Sequence, residues 1–321
     1  MHPKSNALAE NAKKFDPTWT RRGFLAATTA LALASPRAQR SQAAEIKHAT
    51  KPRRLLKTLK VGMVNVPGDL TAKFAAVKAA GYDGIELDSP GIDVEATKKA
   101  MAATGLVVDG SVCSTHWGVR HTSPDPAVRA KALEDLKTAI AQTHAVGGHT
   151  VLLVVGKGED GPEAEIWPRS IENIRQALPL AAELGMTIAI ENVWNQFLYE
   201  HDGPNNQSAD KFVKYVDEFR SPWVGMQFDI GNHWKYGNPA EWIRTLGHRV
   251  VKLDIKGFAR ATDKWADITK DDIPWADVRK ALDDIGFYGW VAAEVGGGDG
   301  DRLKTVAQQI DAALNIGKLF G

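Results

Sequence analysis

From residue 59 to the C-terminus the chain repeats one pattern: a short apolar segment, a loop, an amphipathic helical stretch, often a glycine, then the next apolar segment. Strands are expected at 59–66, 84–88, 107–114, 150–156, 187–193, 224–232, 250–258 and 289–295. Helices are expected at 70–80, 94–104, 126–146, 163–184, 209–219, 239–246, 275–285 and 301–319. Strands that alternate with helices pair in parallel, because a helical crossover brings the chain back to the same end of the sheet. Eight such units between residues 59 and 321 predict an α/β fold of the (β/α)₈ TIM-barrel kind. A doubly wound open sheet is the alternative, but no GxGxxG turn follows the first strand.

The first residues follow another logic. Thr20-Arg21-Arg22-Gly23-Phe24-Leu25 precedes an uncharged, Ala- and Leu-rich run to Ala34, the order of a twin-arginine export signal. That run is shorter than the roughly 20 residues needed to cross a bilayer. Residues 1–45 are therefore expected to be an export signal and linker, and 46–321 the barrel domain. The twin-arginine export machinery is the expected partner and the periplasm the expected location.

With 40 basic against 39 acidic side chains, the chain carries no field that would attract nucleic acid. Its one cysteine, Cys113, excludes an intramolecular disulfide and a cysteine-rich metal site. Any metal would need oxygen or imidazole ligands.

In a barrel, alternate strand residues face the helices or the axis, and chemistry collects at the C-terminal strand ends. In TIAIEN, Ile188 and Ile190 face out, so Glu191 faces in. The same parity turns Gln227 and Asp229 of GMQFDIG, Lys252, Asp254 and Lys256 of VVKLDIKG, Glu294 of WVAAEV, and Glu86 and Asp88 of GIELD toward the axis. Glu191, Asp229, Asp254 and Glu294 thus converge near one end from four successive strands, and charges so close repel by several kcal/mol unless a cation lies among them. A divalent cation answers that need. All-oxygen ligation favours Mg²⁺ or Mn²⁺ over zinc. Four carboxylates exceed the charge of one such ion, so Lys252 or Lys256 is expected to balance part of the excess.

Several stretches (GYDGIELDSPG, STHW, TSPDPAVR, IENVWNQFL, FDIGNHWKYGNPAEWIRTLG and GWVAAEV) resemble the xylose isomerase-like TIM-barrel family of sugar isomerases and epimerases, nearest its L-ribulose-5-phosphate 3-epimerase and hexulose-6-phosphate isomerase-type branch. The resemblance implies one divalent cation on Glu191, Asp229, Asp254 and Glu294, with Glu191 and Glu294 as the two catalytic acid–base groups. Glu86, His116, Trp117, Asn232, Lys256 and Arg260 complete the expected sugar-binding set. This chain departs from its relatives at Asp254, where a histidine is usual, and at Phe197, where the tagatose 3-epimerase type carries a glutamate.

The expected activity is a metal-dependent sugar isomerisation or epimerisation, by proton abstraction next to a carbonyl through an enediolate. A 3-keto-glycoside lyase or hydrolase using the same chemistry is the alternative. An endonuclease-IV-like enzyme would want more histidines and a basic face, and a non-catalytic sugar-binding protein stays open, as does assembly into a homo-oligomer.

Overall fold

The computed structural model describes residues 55–317; the expected export signal, residues 1–45, lies outside the described residues. Among the described residues ten strands occur in chain order: β1 (Leu55–Leu59), β2 (Gly84–Ser89), β3 (Val107–Cys113), β4 (Thr150–Leu153), β5 (Thr187–Glu191), β6 (Val224–Asp229), β7 (Val250–Ile255), β8 (Gly257–Ala259), β9 (Lys264–Ala266) and β10 (Gly289–Ala293). Eight of them form one parallel sheet in the order β1-β10-β7-β6-β5-β4-β3-β2, while β8 and β9 pair as a separate antiparallel hairpin. A parallel bridge from Lys60 to Glu86 links the two ends of the sheet. The expected TIM barrel is the fold.

Several boundaries differ from expectation, and three of them have a local reason. β1 is Leu55–Leu59 rather than 59–66, and a 3₁₀ turn occupies Val61–Met63. Its polar residues are satisfied by the barrel: Lys57 Nζ meets Asp311 Oδ2 on the last helix at 2.7 Å, and Thr58 Oγ1 donates to Asp109 Oδ1 at 2.5 Å. The expected helix 163–184 is two helices, Glu163–Arg175 and Leu178–Leu184, the second with Pro179 in its first turn. Proline cannot donate the backbone bond that would continue a helix through it, but it fits a helix start. β6 stops at Asp229, because the Asp229 carboxylate accepts from Asn232 N at 2.6 Å and caps a short helix, Ile230–Trp234.

Outward-facing Ile188, Ile190, Phe228, Leu253, Ile255 and Val291 are fully buried under the helices and form the main core. Gly105 and Gly185 close their helices in the left-handed conformation, as the sequence predicts. Inside the barrel, Val112, Leu152, Val154 and Val193 make a small apolar patch on the β3–β5 side. The opposite side of the interior is charged. Two register shifts, at Ile85/Glu86 against β3 and at Met226/Gln227 against β7, leave Asp109 and Val251 as extra residues on their strands.

Candidate metal centre and active site

Glu191 and Asp229 end their strands, Asp254 is the last residue but one of β7, and Glu294 follows β10 with its N–H still bonded to Ile255 O at 3.1 Å. Because β5, β6, β7 and β10 are consecutive neighbours, Glu191 and Glu294 stand at the two ends of the row. One oxygen from each of the four acids lies within 4.8 Å of the others. Oxygens on opposite sides of a Mg²⁺ ion, bound at 2.0–2.1 Å each, are about 4.2 Å apart, so small side-chain rotations would close the ring on an ion of that size.

The surroundings of these carboxylates decide what they can do. Lys256 Nζ lies 2.9 Å from Asp229 Oδ2 and 2.8 Å from Glu294 Oε2. Both oxygens are buried, and this one ammonium serves them both. Four clustered carboxylates that share this ammonium and part of the Lys60 one keep an excess of negative charge, which is costly away from water. A hard cation would satisfy them, so this residue set fits a divalent ion. On the other flank Lys60 Nζ reaches both oxygens of Asp254 at 3.2 Å and Glu86 Oε2 at 2.8 Å. Gln227 donates to Asp254 Oδ1 at 2.9 Å.

Burial, then the neighbouring Glu294 and Asp254, lift the Glu191 carboxyl well above its ordinary range. Burial, with Glu294 and Asp254 prevailing over Lys256, pushes Asp229 up to about 7. Burial, with Glu294 and Glu86 prevailing over Lys60, raises Asp254 to about 6. Glu294 goes the other way: burial favours its neutral form, but the Lys256 and Lys60 ammoniums outweigh burial and hold it below the ordinary value. The two glutamates at the ends of the row are thus pushed apart, the condition under which one carboxyl can accept a proton while the other holds one.

Below the ring lies a second charged group. Lys252 Nζ is 2.5 Å from Glu86 Oε1 and 2.5 Å from Asp109 Oδ2, with all three side chains fully buried. Of the two inward lysines, Lys256 balances the ring, as expected for at least one of them, and Lys252 serves this lower layer. Glu86, expected at the sugar, is 0% exposed and engaged by Lys60 and Lys252, which hold its carboxyl at about 2 against the cost of burial. Asp88 shares the parity of Glu86 but sits exposed toward the strand end.

His116 is buried, and its Nδ1 accepts from Val154 N at 3.2 Å, which places the ring proton on Nε2. Burial, with Lys60 nearby, lowers its pKa to about 4 and keeps it neutral. Trp117 beside it is 50% exposed. Asn232 bridges the ring, donating from Nδ2 toward Glu191 Oε1 at 3.4 Å and to Asn192 O at 3.0 Å. Arg260 is placed otherwise than expected: its guanidinium lies 3.5 Å over the Trp234 ring and donates to the carbonyls of Trp234 and Gly237, so it braces a loop. Phe197 is buried edge-on against Tyr215. Cys113 is a buried thiol whose pKa burial raises to about 12, in keeping with a core residue. Sequence reasoning missed Lys60 and Asp109. Thr58 and Lys60 share one strand face, and Asp109 is a lone charge in an apolar strand, so both carried a signal.

A barrel whose C-terminal strand ends carry an acid ring defines a class, and the family model agrees. The chain belongs to the xylose isomerase-like TIM barrel family, whose model matches residues 74–315. It is 26% identical over 195 residues to an L-ribulose-5-phosphate 3-epimerase of Escherichia coli O1:K1, an alignment that covers 56% of this chain and 65% of that relative's length. It is 25% identical over 252 residues to a D-psicose 3-epimerase of Enterocloster bolteae, covering 71% of this chain and 79% of the relative. Among solved structures it resembles a 3-keto-D-glucoside 4-epimerase of E. coli, with a TM-score of 0.66 at 15% identity over 82% of this chain and 99% of that one. At that identity the likeness speaks for the fold. The curated relatives are sugar epimerases.

Proposed function

We propose that this chain is a divalent-metal-dependent sugar isomerase or epimerase that works by proton transfer next to a carbonyl. The observation that carries the reading is the ring of Glu191, Asp229, Asp254 and Glu294, whose four carboxylates share one ammonium and part of a second and whose end members are held at different pKa values. When bound, Mn²⁺ or Mg²⁺ would polarise the sugar carbonyl and favour the enediolate. The residues do the rest. One glutamate of the Glu191 and Glu294 pair takes the proton from the carbon next to the carbonyl; the C–H electrons form the enediolate C=C and the carbonyl electrons move onto oxygen. The other glutamate, protonated, returns a proton, and the carbonyl re-forms. Delivery to the opposite face of the same carbon inverts it; delivery to the former carbonyl carbon, with the neighbouring hydroxyl proton passing to the oxyanion, isomerises the sugar. Neutral His116, Asn232 and the Trp117 ring supply a hydrogen-bond donor, an amide and an apolar face for the substrate.

The export motif at Arg21-Arg22 supports a periplasmic location, where free ketoses or 3-keto-glycosides are better expected substrates than sugar phosphates. A second reading, elimination from a 3-keto-glycoside, draws support from the cleft beside Glu294 described below. Incubating Mn²⁺-loaded protein in D₂O with ketoses and 3-keto-glucosides separates the readings. Deuterium entering next to the carbonyl without aglycone release is the expected result, and aglycone release would favour the lyase. No exchange with any of them would sink the main proposal.

A further inference from the structure

Glu294 and Lys256 also line a cleft of about 420 Å³. The rest of that cleft is built by residues with no part in the acid ring, among them Trp265, Asp267, Gly296 and Arg302. Trp265 sits on the β8–β9 hairpin, opposite Phe258 in the register, and is 52% exposed. Its position is nonetheless set. The indole stacks on Trp194 with 4.6 Å between centroids and 17° between planes, and meets the edge of Phe258 at 5.2 Å. Trp194 is in turn anchored by its N–H to Asn232 O at 2.7 Å. A large ring held in place yet left half bare beside the reacting groups is suited to stack on another ring.

The charges of the cleft specify what that ring carries. Lys256 is engaged by Asp229 and Glu294, and Arg302 by Asp267 Oδ1 at 2.8 Å and Gly296 O at 3.0 Å. No cation lining the cleft lacks an acidic partner. A phosphate there would meet the Glu294 and Asp267 carboxylates without a free cation to offset them, whereas a neutral ring bearing hydroxyls would find acceptors and an apolar face.

We propose that this cleft is a subsite for a neutral ring attached to the reacting sugar, so that the substrate is a glycoside rather than a free or phosphorylated monosaccharide. This rests on the sugar chemistry proposed for the acid ring. Its test does not require turnover. Calorimetry of the Mn²⁺-loaded protein with phenyl β-D-glucopyranoside and methyl β-D-glucopyranoside should show the phenyl compound binding about five- to tenfold more tightly, the worth of one aromatic pairing. Trp265→Ala should erase that ratio while leaving the methyl glucoside within about twofold. Gly296→Leu is a second way in: a Cβ at Gly296 would meet nothing within 4 Å, so the side chain can fill cleft space without straining the fold. It too should erase the ratio. Equal affinities in the parent, no detectable binding of the phenyl glycoside at millimolar concentration, or a ratio that survives both substitutions would overturn the subsite. A ratio present with no deuterium exchange on any keto-sugar would retain the subsite and remove the epimerase reading; exchange on ketoses without a ratio would do the reverse.

Discussion

Two groups of buried charge share this barrel, and they are built on opposite principles. In the lower group, Glu86 and Asp109 face Lys252, with Lys60 adding a second ammonium to Glu86, so each charge meets an opposite one within 2.8 Å. In the upper group four carboxylates share Lys256 and part of Lys60, so negative charge is left in excess. A balanced buried cluster is satisfied by the fold itself. An unbalanced one is satisfied only by something the fold does not supply, and that is the physical mark of a binding centre.

The comparison breaks most easily at Lys252. Lys252→Met should cost about 3–5 kcal/mol of stability, whether or not Mn²⁺ is present, because it strands Glu86 and Asp109 in the interior. Urea unfolding measures it, and a variant as stable as the parent would show that the lower group is not an interdependent pair network. In the upper group the effect should fall on chemistry instead. Glu191→Gln or Glu294→Gln should slow deuterium exchange by roughly 10²–10⁴-fold, about 3–5 kcal/mol of barrier, with the fold kept. Circular dichroism alongside the exchange rate tells the two outcomes apart.

Mn²⁺ should bind the upper group alone. At a free concentration one hundred times Kd it should stabilise the parent by about 2.7 kcal/mol, and Asp254→Ala should abolish most of that gain. Metal content by elemental analysis checks the same point. A parent that neither retains nor responds to Mn²⁺ would remove the metal centre.

The effect of pH is spread over several units, and its sign differs between the groups. Asp229 and Asp254 hold their protons in the folded, metal-free protein up to about 7 and 6, whereas an unfolded chain loses them near pH 4. The stability they contribute is therefore complete below pH 4 and is lost as pH rises toward 7, by at most about 1.4 kcal/mol per pH unit for each proton involved. Glu86, held at about 2, contributes stability above pH 4 that disappears only as pH falls through 2. Urea midpoints of metal-free protein between pH 4 and 7 should thus decline, and Mn²⁺ should flatten the profile. A rise over that range would contradict the environments assigned to the ring.

Much of this was readable in one dimension, though unevenly. The period-2 alternation of TIAIE, GMQFD and VVKLDI aimed Glu191, Asp229 and Asp254 inward, and the structure brings them together with Glu294. Asn232 and His116 also lie where their strands end. Arg260 follows Asp254 at a suggestive spacing, but the loop after β7 folds into a hairpin and gives its guanidinium to backbone carbonyls. Trp265 had no sequence signal at all, because an aromatic residue in a loop reads the same whether it packs inward or lines a cleft.

What the sequence determined by itself was periodicity: eight strand–helix units, the inward parity of acids on four neighbouring strands, and a glycine at the ends of helices such as those closed by Gly105 and Gly185. What only the tertiary structure decided was reach. Lys60 and Glu86 meet because the sheet curves until its first and last strands touch, Asp109 turns toward Lys252 at a register shift, and Lys252 and Lys256 part into separate layers although they share a face. Parity depends on neighbours along the chain and survives in the sequence. Distance across the barrel depends on closure and bulges, which belong to the assembled sheet.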